Sequence, residues 1–88
     1  MVEYHAAYFP IEGGWFMGKV LDFPGVASQG RTLRSARRMV RDALRLAVEG
    51  CAEEGRPLPQ PNVRAKAGKA VFHEKIPVRI KAQTGVVS

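Results

Sequence analysis

The chain has 88 residues, a formal net charge of +6 and a hydrophobic fraction of 45%. This length indicates one small domain that buries only about 60–65% of its unfolded surface, so a small core or a partner subunit has to stabilise it. No apolar run reaches the ~18 residues of a membrane span, and no secretory leader is apparent, which favours a cytoplasmic protein without a membrane partner. The single cysteine, Cys51, excludes an internal disulfide and a cysteine metal cluster.

Three short strands are predicted in the first third of the chain. Aromatic and branched residues alternate loosely along VEYHAAYFPI (2–11), and the glycine turn at 12–14 joins this run to WFMGKVLDF (15–23) as a β-hairpin. A turn at FPG (23–25) leads into the short run VASQG (26–30). We therefore expect a meander of three antiparallel strands.

One long amphipathic helix is predicted after the meander, from an N-cap at Thr32 to an end near Gly50–Gly55, where the prolines of RPLPQP block its continuation. At 100° per residue the apolar side chains occupy an arc of about 100°. That arc contains Leu33, Ala36, Val40, Ala43, Leu44, Ala47 and Cys51. Met39 and Leu46 lie at its edge, which predicts an association surface and a homodimer or larger homo-oligomer.

A last strand is predicted over AVFHEKIPVRI (70–80), either continuous or broken at Pro77, because proline favours the edge of a sheet or a bulge. The tail after it carries no strong pattern. The element order is therefore β-β-β-α-β. We predict an α+β fold in which one long helix packs on one face of a small antiparallel sheet.

The positive charge is concentrated on one side of the predicted helix. Within residues 31–45, six arginines against Asp42 leave +5 of the net charge of +6. These arginines share an arc about 120° wide, separate from the apolar arc. The set is Arg31, Arg34, Arg37, Arg38, Arg41 and Arg45. Such a face fits phosphate contacts of RNA or DNA, contact with a protein partner, or simple solvation, and no base-reading motif accompanies it.

The carboxylates do not form a catalytic pattern. A metal-dependent nuclease needs three or four carboxylates that converge on divalent metals. The candidates have no convergent spacing: they are Glu3, Glu12, Asp22 and Asp42. Asp22 is predicted to be a turn residue that bonds its own backbone two residues on. His5 and His73 receive no role, and Cys51 is predicted to be buried, so we expect no catalytic residue, metal or cofactor.

Two ordered stretches carry a resemblance to a known family. They are EGGWFMGKVLDFPGVASQGRTLRSA and, after the helix, EEGRPLPQP. The matching positions are Glu12-Gly13-Gly14, Asp22-Phe23-Pro24-Gly25, Gln29-Gly30, Thr32, Ala36, Glu54-Gly55 and Pro57. In this series the chain resembles the HicB-like antitoxin family over residues 2–61. The resemblance implies a partial ribonuclease H-like fold, oligomers, and a non-catalytic protein that neutralises a small mRNA-cleaving, HicA-like toxin by stoichiometric binding.

The resemblance also implies a division of the chain and a place for the partner. Residues 1–61 form the HicB-like core, and residues 62–88 supply the C-terminal strand and tail of the same domain. With 27 residues after Pro61, enough for a strand and a tail, we expect no C-terminal DNA-binding domain of the kind that many family members carry. A basic toxin would be repelled by the arginine face, so we expect it to use the sheet side, the loops or the tail. An oligomeric relative without a toxin is the alternative.

Overall fold

The computed structural model describes residues 2–79, so the predicted tail at 81–88 lies outside the described residues. The predicted order of three strands, a helix and a strand is confirmed. The elements are β1 (Val2–Pro10), a short 3-10 turn (Glu12–Gly14), β2 (Phe16–Val20), β3 (Ala27–Gly30), α1 (Leu33–Glu54) and β4 (Phe72–Val78). The fold is therefore α+β, with one long helix on a small sheet.

The four strands form one antiparallel sheet in the order β3-β2-β1-β4. β1 is central, and Tyr8 faces Gly18 of β2 on one side and Phe72 of β4 on the other. β3 and β4 are the edge strands of the described sheet. β4 is continuous, and Pro77 is accommodated within it because an edge strand needs fewer backbone donors.

Local signals set both ends of α1. The Oγ1 atom of Thr32 accepts the backbone N–H of Ser35 at 3.0 Å, which confirms the predicted N-cap. Gly55 follows the last turn with φ of 70°, in the left-handed region, and the N–H of Arg56 donates to the Cys51 carbonyl at 2.9 Å. The helix therefore ends where the glycine and the prolines predict.

The core lies between α1 and one face of the sheet. Tyr4 and Tyr8 of β1 are fully buried there, together with Val40 and Leu44 of α1. α1 approaches β3 so closely that a Cβ atom on Gly30 would lie 2.5 Å from the backbone nitrogen of Ala36. The helix thus packs mainly over β2 and β3, and glycine is what permits the contact.

The second and last strands are shorter than predicted. The predicted second strand runs to residue 23, but β2 ends at Val20, since the chain turns when Phe23 donates to the Val20 carbonyl at 3.3 Å. The predicted last strand spans 70–80, whereas β4 spans Phe72–Val78. Turn residues with apolar neighbours resemble strand in composition, which explains the excess length at the end of β2.

The second face of the sheet is not covered by α1, and we call it the open face. Strand side chains alternate between the two faces, so residues next to the core positions Tyr8 and Gly18 point away from the helix. The open face of the described strands carries Glu3, His5, Ala7, Phe9, Met17, Lys19, Gln29, His73 and Lys75. It combines apolar and basic side chains.

Candidate functional site

The buried side chain of Asp22 holds the junction between β2 and α1 in place. Its Oδ1 atom accepts the backbone N–H of His5 at 2.8 Å, and its Oδ2 atom accepts the backbone N–H of Asn62 at 2.9 Å. The Nδ1 atom of His5 lies 2.7 Å from the same Oδ2 atom. One carboxylate therefore ties β1 and the segment after α1 to the end of β2.

Hydrogen bonding keeps the Asp22 carboxylate charged inside the protein. Burial alone would raise the pKa of Asp22. The hydrogen bonds from His5 and Asn62 together lower it by more than burial raises it, so this pKa lies below its ordinary value. The prediction that Asp22 bonds its own backbone two residues on is wrong, because its partners lie 17 and 40 residues away. His5, which received no role, is one of them.

The other motif residues of the junction shape its backbone. Gly25 has φ of 88°, a conformation that favours glycine. Gly30 lies beneath the first turn of α1, and Thr32 caps that turn. Two further motif residues are exposed to solvent: Pro24 and Gln29. These positions build the corner that places α1 on the sheet.

The predicted arginine face, called the arginine flank from here on, is partly bound to the sheet. The Nη2 atoms of Arg37 and Arg41 donate to Oε1 of Glu74 at 3.1 Å and 2.6 Å. The hydroxyl of Tyr8 donates to Oε2 of the same carboxylate at 2.5 Å. Because Glu74 belongs to β4, this side of α1 faces the β4 edge, and two of its arginines serve the fold.

The members of the Glu74 cluster stabilise one another in the charge states that their hydrogen bonds require. Burial raises the pKa of Glu74, but the hydrogen bonds from Arg37, Tyr8 and Arg41 lower it more, so the carboxylate stays charged. Burial and the bond to Glu74 raise the pKa of the Tyr8 hydroxyl, and the same carboxylate raises the pKa of Arg37. Sequence reasoning missed Glu74, although an acid alternating with Phe72 and Ile76 on the inward side of a strand is a usable signal.

The remaining arginines of the flank are more exposed. The guanidinium of Arg31 stacks over the Trp15 ring at 5.4 Å. Arg45 lies 3.6 Å from Asp42 and 3.7 Å from Glu49, which are distant, exposed pairs of little energetic weight. Arg34 and Arg38 are exposed and form no ion pair among residues 2–79. These two are therefore the arginines of the flank that no described acid or aromatic ring engages.

The two predicted interface residues are exposed on the opposite side of α1. Met39 is 44% exposed and Leu46 is 60% exposed, both high for large apolar side chains on a helix. Ala43 lies between them along the helix, and Gly50 lies about one turn after Leu46. Both are half-buried. We call these four residues the outer ridge.

A shallow hollow of about 520 Å³ opens beside β1, lined by Val2, Glu3, His5, Pro61, Val63 and Lys75. Its open shape and mixed lining do not resemble an enclosed ligand site. In the described part of the chain, no group of three His, Cys, Asp or Glu side chains is placed to hold a metal ion. Within those residues, no helix is long and apolar enough to cross a membrane.

The whole arrangement of sheet, junction and helix is that of solved antitoxin structures. The crystal structure of the N-terminal domain of antitoxin HicB from Burkholderia pseudomallei is similar to this chain, with a TM-score of 0.77 and 24% identity. The match covers 90% of this chain and 100% of that domain. The crystal structure of the Burkholderia pseudomallei antitoxin HicB matches over 90% of this chain, with a TM-score of 0.77 and 26% identity. This chain spans 63% of that longer antitoxin.

The predicted resemblance to HicB-like antitoxins is therefore confirmed in three dimensions. Sequence comparison adds no further relative: no family model matches the chain, and no curated protein matches it.

Proposed function

We propose that this chain is a non-catalytic, HicB-like antitoxin of the cytoplasm that neutralises a small HicA-like, mRNA-cleaving toxin by stoichiometric binding. The observation that carries the proposal is the similarity of the fold to HicB over 90% of this chain. We further propose that residues 1–61 and 62–88 act as one domain, a view supported by the pairing of β4 with β1 from Val2 to Tyr8.

The toxin is proposed to bind the open face rather than the arginine flank. Phe9 and Met17 are neighbours in register on that face, both half-buried, and Lys19 lies over the Phe9 ring at 5.7 Å. Apolar side chains of this kind form the centre of protein interfaces. The flank, in contrast, would repel a basic toxin through Arg34 and Arg38.

Growth rescue tests the proposed activity. The small protein encoded beside this chain is expressed from an inducible promoter, alone and with the chain. We expect arrest alone and growth with the wild-type chain. Met17→Glu should abolish rescue because a charge replaces an apolar contact at the proposed centre, and exposed Leu46→Lys, on the opposite layer, should preserve it.

Two results would count against this proposal. Arrest that persists at equal expression of wild-type chain would remove neutralisation itself. Rescue by Met17→Glu that equals wild type would remove the open face as the binding surface and leave neutralisation in place. Circular dichroism of each purified variant separates loss of binding from loss of folding.

Nucleic-acid binding is a second candidate function, favoured by the exposed Arg34 and Arg38. Their double change to Glu leaves the Glu74 cluster intact, so the fold is retained. We expect fluorescence anisotropy to show RNA or DNA affinity that falls steeply with salt and is lost in the double variant, whereas exposed Arg64→Glu has a smaller effect. Affinity that ignores salt and both arginines would eliminate this function.

We also propose that the chain forms a homodimer or a larger homo-oligomer. The exposed Met39 and Leu46 support this association, which does not require a toxin. A homo-oligomeric relative without a toxin is the outcome if the small neighbouring protein is neither toxic nor bound.

A further inference from the structure

β3 presents a backbone edge that is unpaired in the described residues 2–79. In an antiparallel pair, the N–H and C=O groups of every second residue point to the partner strand, and those of the residues between point away. The N–H of Val20 donates to the Val26 carbonyl at 2.9 Å, so Val26 and every second residue after it face β2. The backbone groups of Ala27 and Gln29 therefore point outward, where no described residue bonds to them.

The opposite edge, on β4, is protected against pairing. The N–H of Leu21 donates to the His5 carbonyl at 2.8 Å, so odd-numbered residues of β1 face β2 and even-numbered ones face β4. The residues of β4 that point outward are therefore His73, Lys75 and Pro77. Lysine and proline discourage the addition of a further strand, and β3, with the sequence ASQG, contains neither. Of the two edges in the described sheet, β3 is thus the one open to another strand.

The outward groups of β3 are complementary to a second copy of themselves. Ala27 and Gln29 lie on either side of Ser28, and each offers one N–H and one C=O. A two-fold axis perpendicular to the sheet at Ser28 places Ala27 of each copy opposite Gln29 of the other. All of the outward N–H and C=O groups of these residues then pair across the axis. A two-fold interface must be self-complementary, and this strand edge meets that requirement.

The same rotation brings the two helices to packing distance. A Cβ atom on Gly30 would meet the backbone of Ala36. One on Gly18, the register partner of Ser28, would meet Val40, so α1 runs back along β3 and passes the axis near Val40. Because α1 lies over β2 and β3, about half a strand spacing inside the edge, its copy lies about two spacings away, or ~10 Å. Packed helices have axes about 8–10 Å apart, so the two antiparallel copies of α1 are close enough to pack.

The outer ridge lies on the side of α1 that meets this second helix. Arg37 and Arg41 donate to β4 on one side of α1. At 100° per residue, the ridge points about 170° away from the mean direction of these two arginines, and so toward the β3 edge. Met39 then lies beside the axis against its counterpart, and Leu46 lies over the first turn of the second helix.

We propose that two copies of this chain join edge to edge through β3, about a two-fold axis at Ser28, and pack their outer ridges together. The two four-stranded sheets become one continuous sheet. This dimer gives a surface to the proposed self-association, on which it rests. The strand bonds set the register, and burial of Met39 and Leu46, which are 44% and 60% exposed in one copy, supplies the hydrophobic contribution. One rotation therefore satisfies two separate features, the unpaired backbone and the exposed apolar side of the helix.

Amide hydrogen exchange followed by NMR tests the strand pairing directly. The N–H groups of Ala27 and Gln29 belong to exposed residues in one copy and are bonded in the dimer. We expect their exchange to slow at least about tenfold between micromolar and millimolar protein, because exchange then requires the pair to open. The outward amides of His73 and Lys75 on β4 are the matched control, and their exchange should not depend on concentration.

A disulfide across the axis tests the register. The two copies of Ser28 face each other with Cα atoms about 4.5 Å apart, inside the disulfide range. The two copies of Gln29 are offset by two residues, which puts their Cα atoms about 8 Å apart, beyond that range. Oxidation of Ser28→Cys should give a covalent dimer, and Gln29→Cys, although more exposed, should give far less. Wild type, with its buried Cys51, is the baseline.

Proline substitution separates the edge from the fold. Ala27→Pro removes one outward N–H at the first residue of β3, where a strand tolerates proline. It therefore removes two hydrogen bonds from the dimer and none from one copy. We expect sedimentation equilibrium to show a dimer weakened at least about 100-fold, with circular dichroism unchanged. His73→Pro, the same loss at an outward position of β4, should dimerise like wild type.

Each outcome has a definite meaning. Monomeric wild type at millimolar concentration overturns both self-association and this interface. A dimer whose Ala27 and Gln29 amides stay unprotected, or one that tolerates Ala27→Pro, overturns the interface and leaves self-association in place. Protection that appears only when the small protein encoded beside the chain is added assigns the edge to that partner and overturns the second copy as its occupant. Equal cross-linking of Ser28→Cys and Gln29→Cys overturns the register.

Discussion

Asp22 shows how a single buried carboxylate can join segments distant in sequence. Its two oxygens accept three hydrogen bonds, from the backbone and ring of His5 and from the backbone of Asn62. Since the pKa of Asp22 is lowered in the folded state, the charged form stabilises the protein above the unfolded pKa of about 3.9. That stabilisation is lost as the pH falls through the folded pKa.

Changing Asp22 to Asn should therefore reduce stability and flatten its acid dependence. The amide keeps the shape but cannot accept all three bonds, so we expect a loss of about 1–3 kcal/mol at pH 7. Urea unfolding between pH 7 and pH 2, at fixed protein concentration, measures both effects. Asp42→Asn, at a 57% exposed side chain, is the control with little change. Parallel pH curves for wild type and Asp22→Asn would contradict the assigned role.

Glu74 is the second carboxylate on which the fold depends. Changing it to Gln removes the charge that Arg37 and Arg41 share and should cost about 2 kcal/mol, discounted for the exposure of the arginines. Thermal unfolding followed by circular dichroism measures the loss. Glu53→Gln, at an exposed position on α1, provides the comparison. Equal midpoints for the two variants would mean that the cluster does not hold β4 to α1.

The close approach of α1 to β3 requires a residue without a side chain at position 30, and this requirement can be tested. An alanine there would place its Cβ atom 2.5 Å from the Ala36 backbone nitrogen, so the helix must move. We expect Gly30→Ala to cost about 1–3 kcal/mol, as overpacking does. Gly68→Ala, where a Cβ atom meets nothing within 4 Å, should leave the midpoint of denaturation almost unchanged. Equal effects would show that the helix is not in close contact.

Some bounds of the helix and strands are set by nearby residues in the sequence, and others by contacts between residues far apart in it. The bounds of α1 were predictable because a threonine cap, apolar periodicity and a glycine before prolines are all local signals. The end of β2 was not, since Asp22 binds partners 17 and 40 residues away. The same holds for the arginine flank, where spacing reveals a common side of the helix but not that Glu74 occupies two of its arginines.

Across the whole molecule, three surfaces lie on different sides. The open face is proposed for the toxin, the outer ridge for a second copy, and Arg34 with Arg38 for nucleic acid. Because the outer ridge lies on α1 and the open face lies on the far side of the sheet, we expect substitutions on one to leave the other intact. The proposed toxin binding and the proposed self-association can therefore be tested one at a time.

Self-association makes thermal stability depend on concentration. Mass action stabilises a folded dimer as concentration rises, so a tenfold increase should raise the wild-type unfolding midpoint by a few degrees, on the order of a 1.4 kcal/mol change. Differential scanning calorimetry of Leu46→Lys should show a midpoint independent of concentration. A wild-type midpoint that does not move over a hundredfold range would argue against a dimer linked to folding.

Isothermal titration calorimetry of the purified chain with the small protein encoded beside it tests the proposed antitoxin function most directly, because it measures their binding. We predict saturable binding at a whole-number ratio, with submicromolar affinity, and loss of the partner's RNA cleavage at the same equivalence point. Absence of binding heat at several temperatures, together with undiminished cleavage in excess chain, would contradict the assignment.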